Sequence, residues 1–317
     1  MFCYKEENFF DIASVNRSLK ENPKKFIDSC EALYTKELEN AVDVIIKNGA
    51  KLVMLTGPSG SGKTTTSHIL CDLFAKRGIE TAVISLDNFY KNSEDVIETF
   101  NGEKDFESIN AIETEMLSEK LKSLSEEKET LLPVFDFVLK TRKDNAYSLK
   151  LNKNSIAIVE GIHALNSKIL NTLPEGSFIT VYISAHAVFK KNDETVLKKT
   201  DVRLLRRMVR DSHRRNANAE ITFDFWDMVL RGERLYLKPT KSSAKIKICT
   251  TFPYDPASLK NKAVPLLLEI SPNSEYYSEA TRLLKALESF DEMDISLIPA
   301  SSLLREFLGE SKFYEGE

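Results

Sequence analysis

From residue 23 to 47 apolar positions recur at helical spacing: Phe26, Ile27, Cys30, Leu33, then Leu38, Ala41, Val42, Ile45 and Ile46. This predicts one long helix with Asn48-Gly49 as its stop. From residue 50 the period changes. Lys51-Leu52-Val53-Met54-Leu55-Thr56 is a short apolar run ending in a Gly/Ser cluster, which predicts a buried strand. Residues 64–76 predict a helix with Ile69, Leu70, Leu73 and Phe74 on one face and Gly78 at its end. Further buried strands are predicted over 81–86, 156–159 and 178–183, with a weaker fifth over 244–249. Strands nearly continuous in Val, Ile and Leu, separated by helical stretches, predict an α/β fold: a parallel sheet with helices on both faces. Residues 276–290 predict another amphipathic helix, 298–307 a further helical turn or two, and the final ten residues are expected to fray.

Composition narrows the class. The chain has 317 residues, 44 Lys+Arg against 48 Asp+Glu, and a net charge of −4. A mildly acidic chain makes general nucleic-acid binding a poor expectation. No apolar run is long enough to span a membrane, and Met1-Phe2-Cys3-Tyr4-Lys5-Glu6-Glu7 lacks the pattern of a signal peptide. Cys3, Cys30, Cys71 and Cys249 share no paired spacing, which argues against a zinc site or a disulfide framework and suits a reducing cytoplasm.

The strongest chemical signal lies between the first strand and its helix. Gly57-Pro58-Ser59-Gly60-Ser61-Gly62-Lys63-Thr64 matches G-x-x-x-x-G-K-[ST] at every defined position, in the strand–loop–helix context that the mechanism needs. Glycines let the backbone curl so that amides point at phosphate oxygens, and the helix N-terminus adds partial positive charge. Gly57, Ser59, Gly60, Ser61, Gly62, Lys63, Thr64 and Thr65 are therefore the expected cradle for ATP or another nucleoside triphosphate. Lys63 would reach the β/γ-phosphates, and the Thr64 hydroxyl would ligate Mg²⁺. Asp87 ends the second strand and Glu160 the third, at the sheet edge where ligands bind in open α/β folds. Two such acids allow metal binding and deprotonation of an acceptor hydroxyl.

Beside the phosphate loop, four motifs together carry a resemblance: Ser85-Leu86-Asp87-Asn88-Phe89-Tyr90, Pro133-Val134-Phe135-Asp136-Phe137, Glu160-Gly161-Ile162-His163-Ala164-Leu165, and the Arg-rich stretch 206–215. Over roughly residues 50–270 the chain resembles the phosphoribulokinase/uridine kinase family, and within it bacterial uridine kinase-like nucleoside kinases. The resemblance implies Asp87 as catalytic base for a nucleoside 5′-hydroxyl, and Thr64, Asp87 and Glu160 around Mg²⁺. It implies Glu107 on the ribose hydroxyls, Phe135 against the base, and Tyr90, Lys140 and Arg142 in the acceptor pocket.

Arg203, Arg207, Arg210 and Arg214 form one helical stripe, with Arg206 and Arg215 alongside. Three readings compete: a solvated face, a nucleic-acid patch, and a lid whose guanidiniums neutralise phosphoryl charge. Position and resemblance favour the lid, with Arg207, Arg210 and Arg215 on the triphosphate. The family usually carries Tyr at Phe135, His at Lys140, Asp at Glu107 and Gly-Arg at Asn216-Ala217. These departures bear on acceptor choice more than on phosphoryl transfer. His163 reads as a structural histidine as readily as a site residue. Trp226 with Phe223 and Phe225 reads as packing behind the lid, and Cys71 as a small buried hydrophobe.

The expected organisation is a helical extension (1–49), a kinase domain (50–272) with an insertion at about 88–150 and a lid at about 203–220, and a C-terminal helical segment (273–317). The insertion has 14 acidic and 9 basic side chains, which favours a neutral acceptor. The expected activity is Mg- and ATP-dependent phosphorylation of a nucleoside, uridine or cytidine first, by a cytoplasmic enzyme with no membrane or nucleic-acid partner and its oligomeric state open. Alternatives are a kinase of another small alcohol, such as a sugar phosphate or a pantothenate-like compound, and a nucleotide-binding regulator without transfer activity.

Overall fold

The structure, a computed structural model, describes residues 9–96, 104–137 and 139–314. The reading of the first seven residues, Cys3 included, falls outside it. In chain order the elements are β1 (Phe9–Asp11), α1 (Ile12–Glu21), α2 (Pro23–Asn48), β2 (Leu52–Thr56), α3 (Lys63–Ala75) and β3 (Glu80–Ser85). Then come α4 (Thr114–Ser125), β4 (Thr130–Asp136), β5 (Thr141–Leu149), β6 (Ser155–Glu160), α5 (Ser167–Leu170) and β7 (Phe178–Ser184). The remainder is β8 (Val188–Lys191), β9 (Glu194–Leu197), α6 (Lys199–Arg215), α7 (Ala219–Gly232), β10 (Ile246–Cys249), α8 (Asp255–Leu268), α9 (Tyr277–Leu287) and α10 (Arg305–Leu308).

The five predicted strands form one parallel sheet in the order β10-β7-β2-β6-β3. Every residue of β2 and β6 is buried, and alternate side chains enter cores on opposite faces. Val53 and Leu55 join the core with α2, α3 and α8, whereas Leu52 and Met54 join the one with α4. Residues buried on both sides explain the continuous apolar runs in the sequence. The order also places the phosphate loop after the central strand, with the ends of β3 and β6 beside it.

The predicted long helix is α2. It begins at Asn22, whose side chain accepts from Lys25 N, and ends at Gly49, held at φ +77° with its amide on Ile45 O and Ile46 O. The N-terminal region contains more than this helix. β1 pairs with β8 of the β8–β9 hairpin, a small sheet that short, partly exposed strands concealed from pattern reading. The 88–150 insertion contributes α4 and the antiparallel β4–β5 hairpin, in which β5 is mostly exposed and β4 buries Leu132 and Phe135.

The C-terminal expectation needs correcting: residues 308–314 are docked. Leu308 is buried, Lys312 N donates to Ala300 O at 3.0 Å, and Phe313 stacks on His68 of α3 with ring centroids 5.5 Å apart. Both chain extensions share the core of the nucleotide-loop region, through Ile27 and Leu38 from α2 and Leu303, Leu304 and Phe307 from the C-terminal segment. Among the described residues no helix is long and apolar enough to cross a membrane.

Candidate active site

The loop between β2 and α3 passes so close to β7 that a Cβ on Gly57 would lie 2.3 Å from Ile183 O. Gly60 and Gly62 sit at φ +73° and +83°, a region that glycine enters without strain. Lys63 Nζ donates to Gly57 O at 3.0 Å, so the lysine lies along its own loop. Ser61 Oγ is fully buried without a hydrogen-bond partner. Ser59 N donates to Glu233 Oε1 at 3.1 Å, and Arg207 donates to Ser59 Oγ at 3.0 Å.

At the neighbouring strand ends, Asp87 sits in a 3₁₀ turn (Leu86–Phe89) after β3, and Glu160 is the last residue of β6. Register pairs Ser85 with Glu160, and the Ser85 hydroxyl hydrogen-bonds the Glu160 carboxylate. Gly161 follows because a Cβ there would strike the Leu86 side chain at 2.7 Å. Burial, then the Asp87 charge, pushes Glu160 up to about 7, and Lys63 opposes this. Burial also raises Asp87, which is drawn back by Lys63, Arg215 and a hydrogen bond from Tyr90.

A cavity of about 910 Å³ opens over these groups, large for a small-molecule site. It gathers Ser59, Lys63, Asp87, Tyr90, Glu107, Phe135, Lys140, Glu160, Arg207, Arg210 and Arg215, all of them singled out in the sequence. Phe106 and Phe137 complete an aromatic wall. Tyr90 packs edge-on against Phe106 and Phe135 at 5.8 and 5.7 Å, and Phe135 against Phe137 at 5.2 Å. Glu107 is half-buried, with a carboxyl raised to about 7 by burial and restrained by Arg207 and Lys63. Its backbone oxygen meets His163 Nε2 at 2.9 Å, and burial lowers His163 to about 4, so this histidine is a neutral support for the Glu107 segment.

Arg142 does not line the cavity. It donates from Nε to Asp144 at 2.7 Å and from NH1 to Tyr90 O at 2.9 Å, tying the hairpin to the 3₁₀ turn. The arginine stripe divides. Arg207, Arg210 and Arg215 face the cavity, and all three reach the buried carboxylate of Asp211, at 3.3, 2.8 and 3.7 Å. Arg203 instead pairs with Glu233 at 2.6 and 2.9 Å, and Arg206 is fully buried against Asp255. Arg214 lies over the Tyr314 ring at 4.1 Å. Trp226 and Phe223 are buried behind this helix, as packing predicts, while Phe225 is exposed.

Thr65 is engaged by the chain itself. Its amide donates to Glu306 Oε2 at 3.2 Å and its hydroxyl to the same oxygen at 2.7 Å. Glu233, Asp211, Glu306 and Tyr314 were not visible as site residues in the sequence, because each acts through a contact that no local motif marks. Among the described residues no three His, Cys, Asp or Glu side chains form a metal cage. Asp87 and Glu160, which line the same cavity as Lys63 and feel each other's charge, suit a Mg²⁺ ion, which is commonly held by one or two carboxylates together with substrate phosphates.

Residues 52–253 match the phosphoribulokinase/uridine kinase family. The chain is 30% identical over 198 residues to a uridine kinase of Clostridium tetani, a stretch covering 62% of this chain and 85% of that protein. It is 29% identical over 199 residues to a uridine kinase of Staphylococcus aureus, covering 62% and 86%. Among solved structures, a D-glycerate 3-kinase from Cryptococcus neoformans aligns with a TM-score of 0.43 at 13% identity, over 63% of this chain and 88% of that one. Residues 1–51 and 254–317 lie outside the family match.

Proposed function

The chain belongs to the phosphoribulokinase/uridine kinase family, and we propose that this kinase transfers the γ-phosphoryl group of ATP to the 5′-hydroxyl of a nucleoside, with uridine or cytidine as the first acceptors. The observation that carries this reading is the single cavity. It joins the phosphate loop, two strand-end carboxylates, three arginines and an aromatic wall of Tyr90, Phe106, Phe135 and Phe137. An aromatic wall beside a carboxylate suits a flat base joined to a sugar bearing hydroxyls.

In the proposed mechanism the acceptor base packs against Phe135, and Glu107 accepts hydrogen bonds from the ribose hydroxyls. Asp87 lines the cavity, where it accepts the proton of the attacking hydroxyl. An O–P bond forms to the γ-phosphorus as the bond to the β-γ bridging oxygen breaks, leaving ADP. Lys63, Arg207, Arg210 and Arg215 neutralise the charge spread over the transferring group. Asp211 aims the arginines from behind. Thr64, Asp87 and Glu160 are the residues that would hold Mg²⁺, which supplies charge neutralisation across the β- and γ-phosphates when bound.

The kinase domain, about 50–272, thus supplies donor chemistry from its sheet, acceptor contacts from the 88–150 insertion and a lid from about 203–220. The partner is a small molecule; the net charge of −4 over the whole chain disfavours nucleic acid. Lys140 at the cavity wall is the feature that favours a second reading, an acceptor already carrying phosphate.

The test is ADP release from Mg-ATP across uridine, cytidine, adenosine, guanosine, a pentose phosphate and pantothenate, with Asp87→Asn as control. Stimulation by a pyrimidine nucleoside, reduced roughly 10²–10⁴-fold in Asp87→Asn, supports the reading. Stimulation by the pentose phosphate alone moves the assignment to the second reading, and no stimulation by any acceptor overturns the nucleoside assignment.

A further inference from the structure

Thr65 is the third residue of α3, so its amide is among the first-turn donors with no acceptor inside the helix. In a loop of this sequence such amides receive the α/β-phosphates of a nucleotide. Here that donor is taken. Glu306, 6% exposed, accepts both the amide and the hydroxyl of Thr65 on Oε2. Tyr314 adds its hydroxyl, 3.2 Å from Thr65 Oγ1 and hydrogen-bonded to the Thr64 side chain as well. Leu303 lies so close to the loop that a Cβ on Gly62 would meet its Cδ1 at 2.5 Å. Lys312 completes the seat with an ion pair to Asp72 of α3 at 2.6 Å.

The segment bearing Glu306 is braced. Arg305 donates to Ile298 O at 2.7 Å and to Ile295 O at 2.9 Å, closing residues 295–305 on themselves. On α2, Glu31 accepts from Ser302 Oγ and from Tyr254 OH, both at 2.5 Å. Tyr34 of the same helix meets Thr66 Oγ1 at 2.9 Å. Glu31, Tyr34, Glu306 and Tyr314 all lie outside the family match. The two extensions therefore cooperate to hold a carboxylate on the phosphate loop.

We propose that residues 303–314 are an intramolecular competitor for the donor: the Glu306 carboxylate holds the α-phosphate seat at Thr65, and a nucleoside triphosphate binds by displacing it. This rests on the donor reading above and adds the regulation of that site. A phosphate oxygen and a carboxylate oxygen cannot both sit at hydrogen-bond distance from the Thr65 amide without placing like charges side by side. The apparent affinity for ATP is then the intrinsic affinity scaled by the fraction of molecules in which the segment has lifted.

Calorimetric titration of the full chain with Mg-ATP, wild type against Glu306→Gln, tests it. Glutamine keeps the size and can still accept the Thr65 amide, but it carries no charge to oppose phosphate. ATP is expected to bind Glu306→Gln about tenfold or more tightly, the ratio for a charge-assisted hydrogen bond exchanged for a neutral one. Equal or weaker binding by Glu306→Gln would make Glu306 a helix cap only and overturn the proposal, while ATP binding itself leaves the kinase reading standing. Absence of ATP binding by the wild type, Glu306→Gln and Tyr314→Phe alike overturns the donor reading and this proposal with it. If Glu306→Gln fails to fold, amide exchange of wild-type residues 303–314 decides: faster exchange under saturating Mg-ATP supports displacement, and unchanged exchange refutes it.

Discussion

Arg206 and Asp255 meet as a fully buried bidentate pair, Nε to Oδ1 at 2.9 Å and NH2 to Oδ2 at 2.6 Å. The same guanidinium donates to Gly60 O at 3.1 Å and Thr250 O at 2.6 Å, linking α6 to the phosphate loop and to the end of β10. Removing one partner of such a pair strands the other charge in the core. Arg206→Ala is expected to lose about 3–5 kcal/mol in urea denaturation, with the loop loosened as a consequence.

Arg207, one residue along, faces the cavity and presents the opposite case. Arg207→Ala should leave the urea midpoint almost unmoved and lower kcat about 10²–10³-fold, with a smaller change in acceptor KM. Steady-state kinetics together with denaturation separates the two arginines. A large stability loss in Arg207→Ala would place it with the structural pair.

Glu107 titrates near 7 because burial disfavours its charge. A carboxyl raised in the fold holds its proton where the unfolded chain has lost it, so the native state is penalised progressively from about pH 4.5 to 7. Glu107→Gln should therefore be more stable than wild type by about 1–2 kcal/mol at pH 8, the gain shrinking towards pH 4.5. Acceptor KM in the wild type should fall as pH rises through 7, when the carboxylate becomes available to hydroxyls. Both trends are read from thermal melts and kinetics across pH 5–8, and a pH-independent stability difference would refute this account.

Phe135 stands between Tyr90 and Phe137. Phe135→Ala should raise the acceptor KM about tenfold while kcat changes by less than about threefold, since in the proposed mode the wall holds the acceptor without touching the transferred group. A fall in kcat with KM unchanged would show that the ring positions the reacting hydroxyl instead.

The features legible in the sequence were those whose position local structure fixes. The phosphate loop, Asp87 and Glu160 each follow a buried strand, so neighbouring residues announce them. The arginine stripe was only partly legible, because helical spacing reports a shared face but not the partner across it. Arg203 and Arg206 find Glu233 and Asp255 at sequence separations of 30 and 49. Arg142 went astray for the same reason, drawn to Asp144 and the Tyr90 carbonyl. The polar run Gly309-Glu310-Ser311 has no periodicity and reads as a loose end, yet Phe313 and Tyr314 beyond it dock on α3. β1 and β8 are three and four residues long, and neither has a pattern until the other is present.

The contact between Glu31 and Ser302 spans 271 residues, and that between Thr65 and Glu306 spans 241. A ribosome adding about 5–20 residues per second therefore completes the phosphate loop some 12–50 seconds before it makes the carboxylate that covers it. During synthesis the central sheet and loop can form in a cell full of nucleotides, and the C-terminal segment must close on whatever the loop then holds. On the displacement proposal, a new chain makes its donor loop before the competitor for it, and the finished chain must lift that competitor to bind nucleotide again.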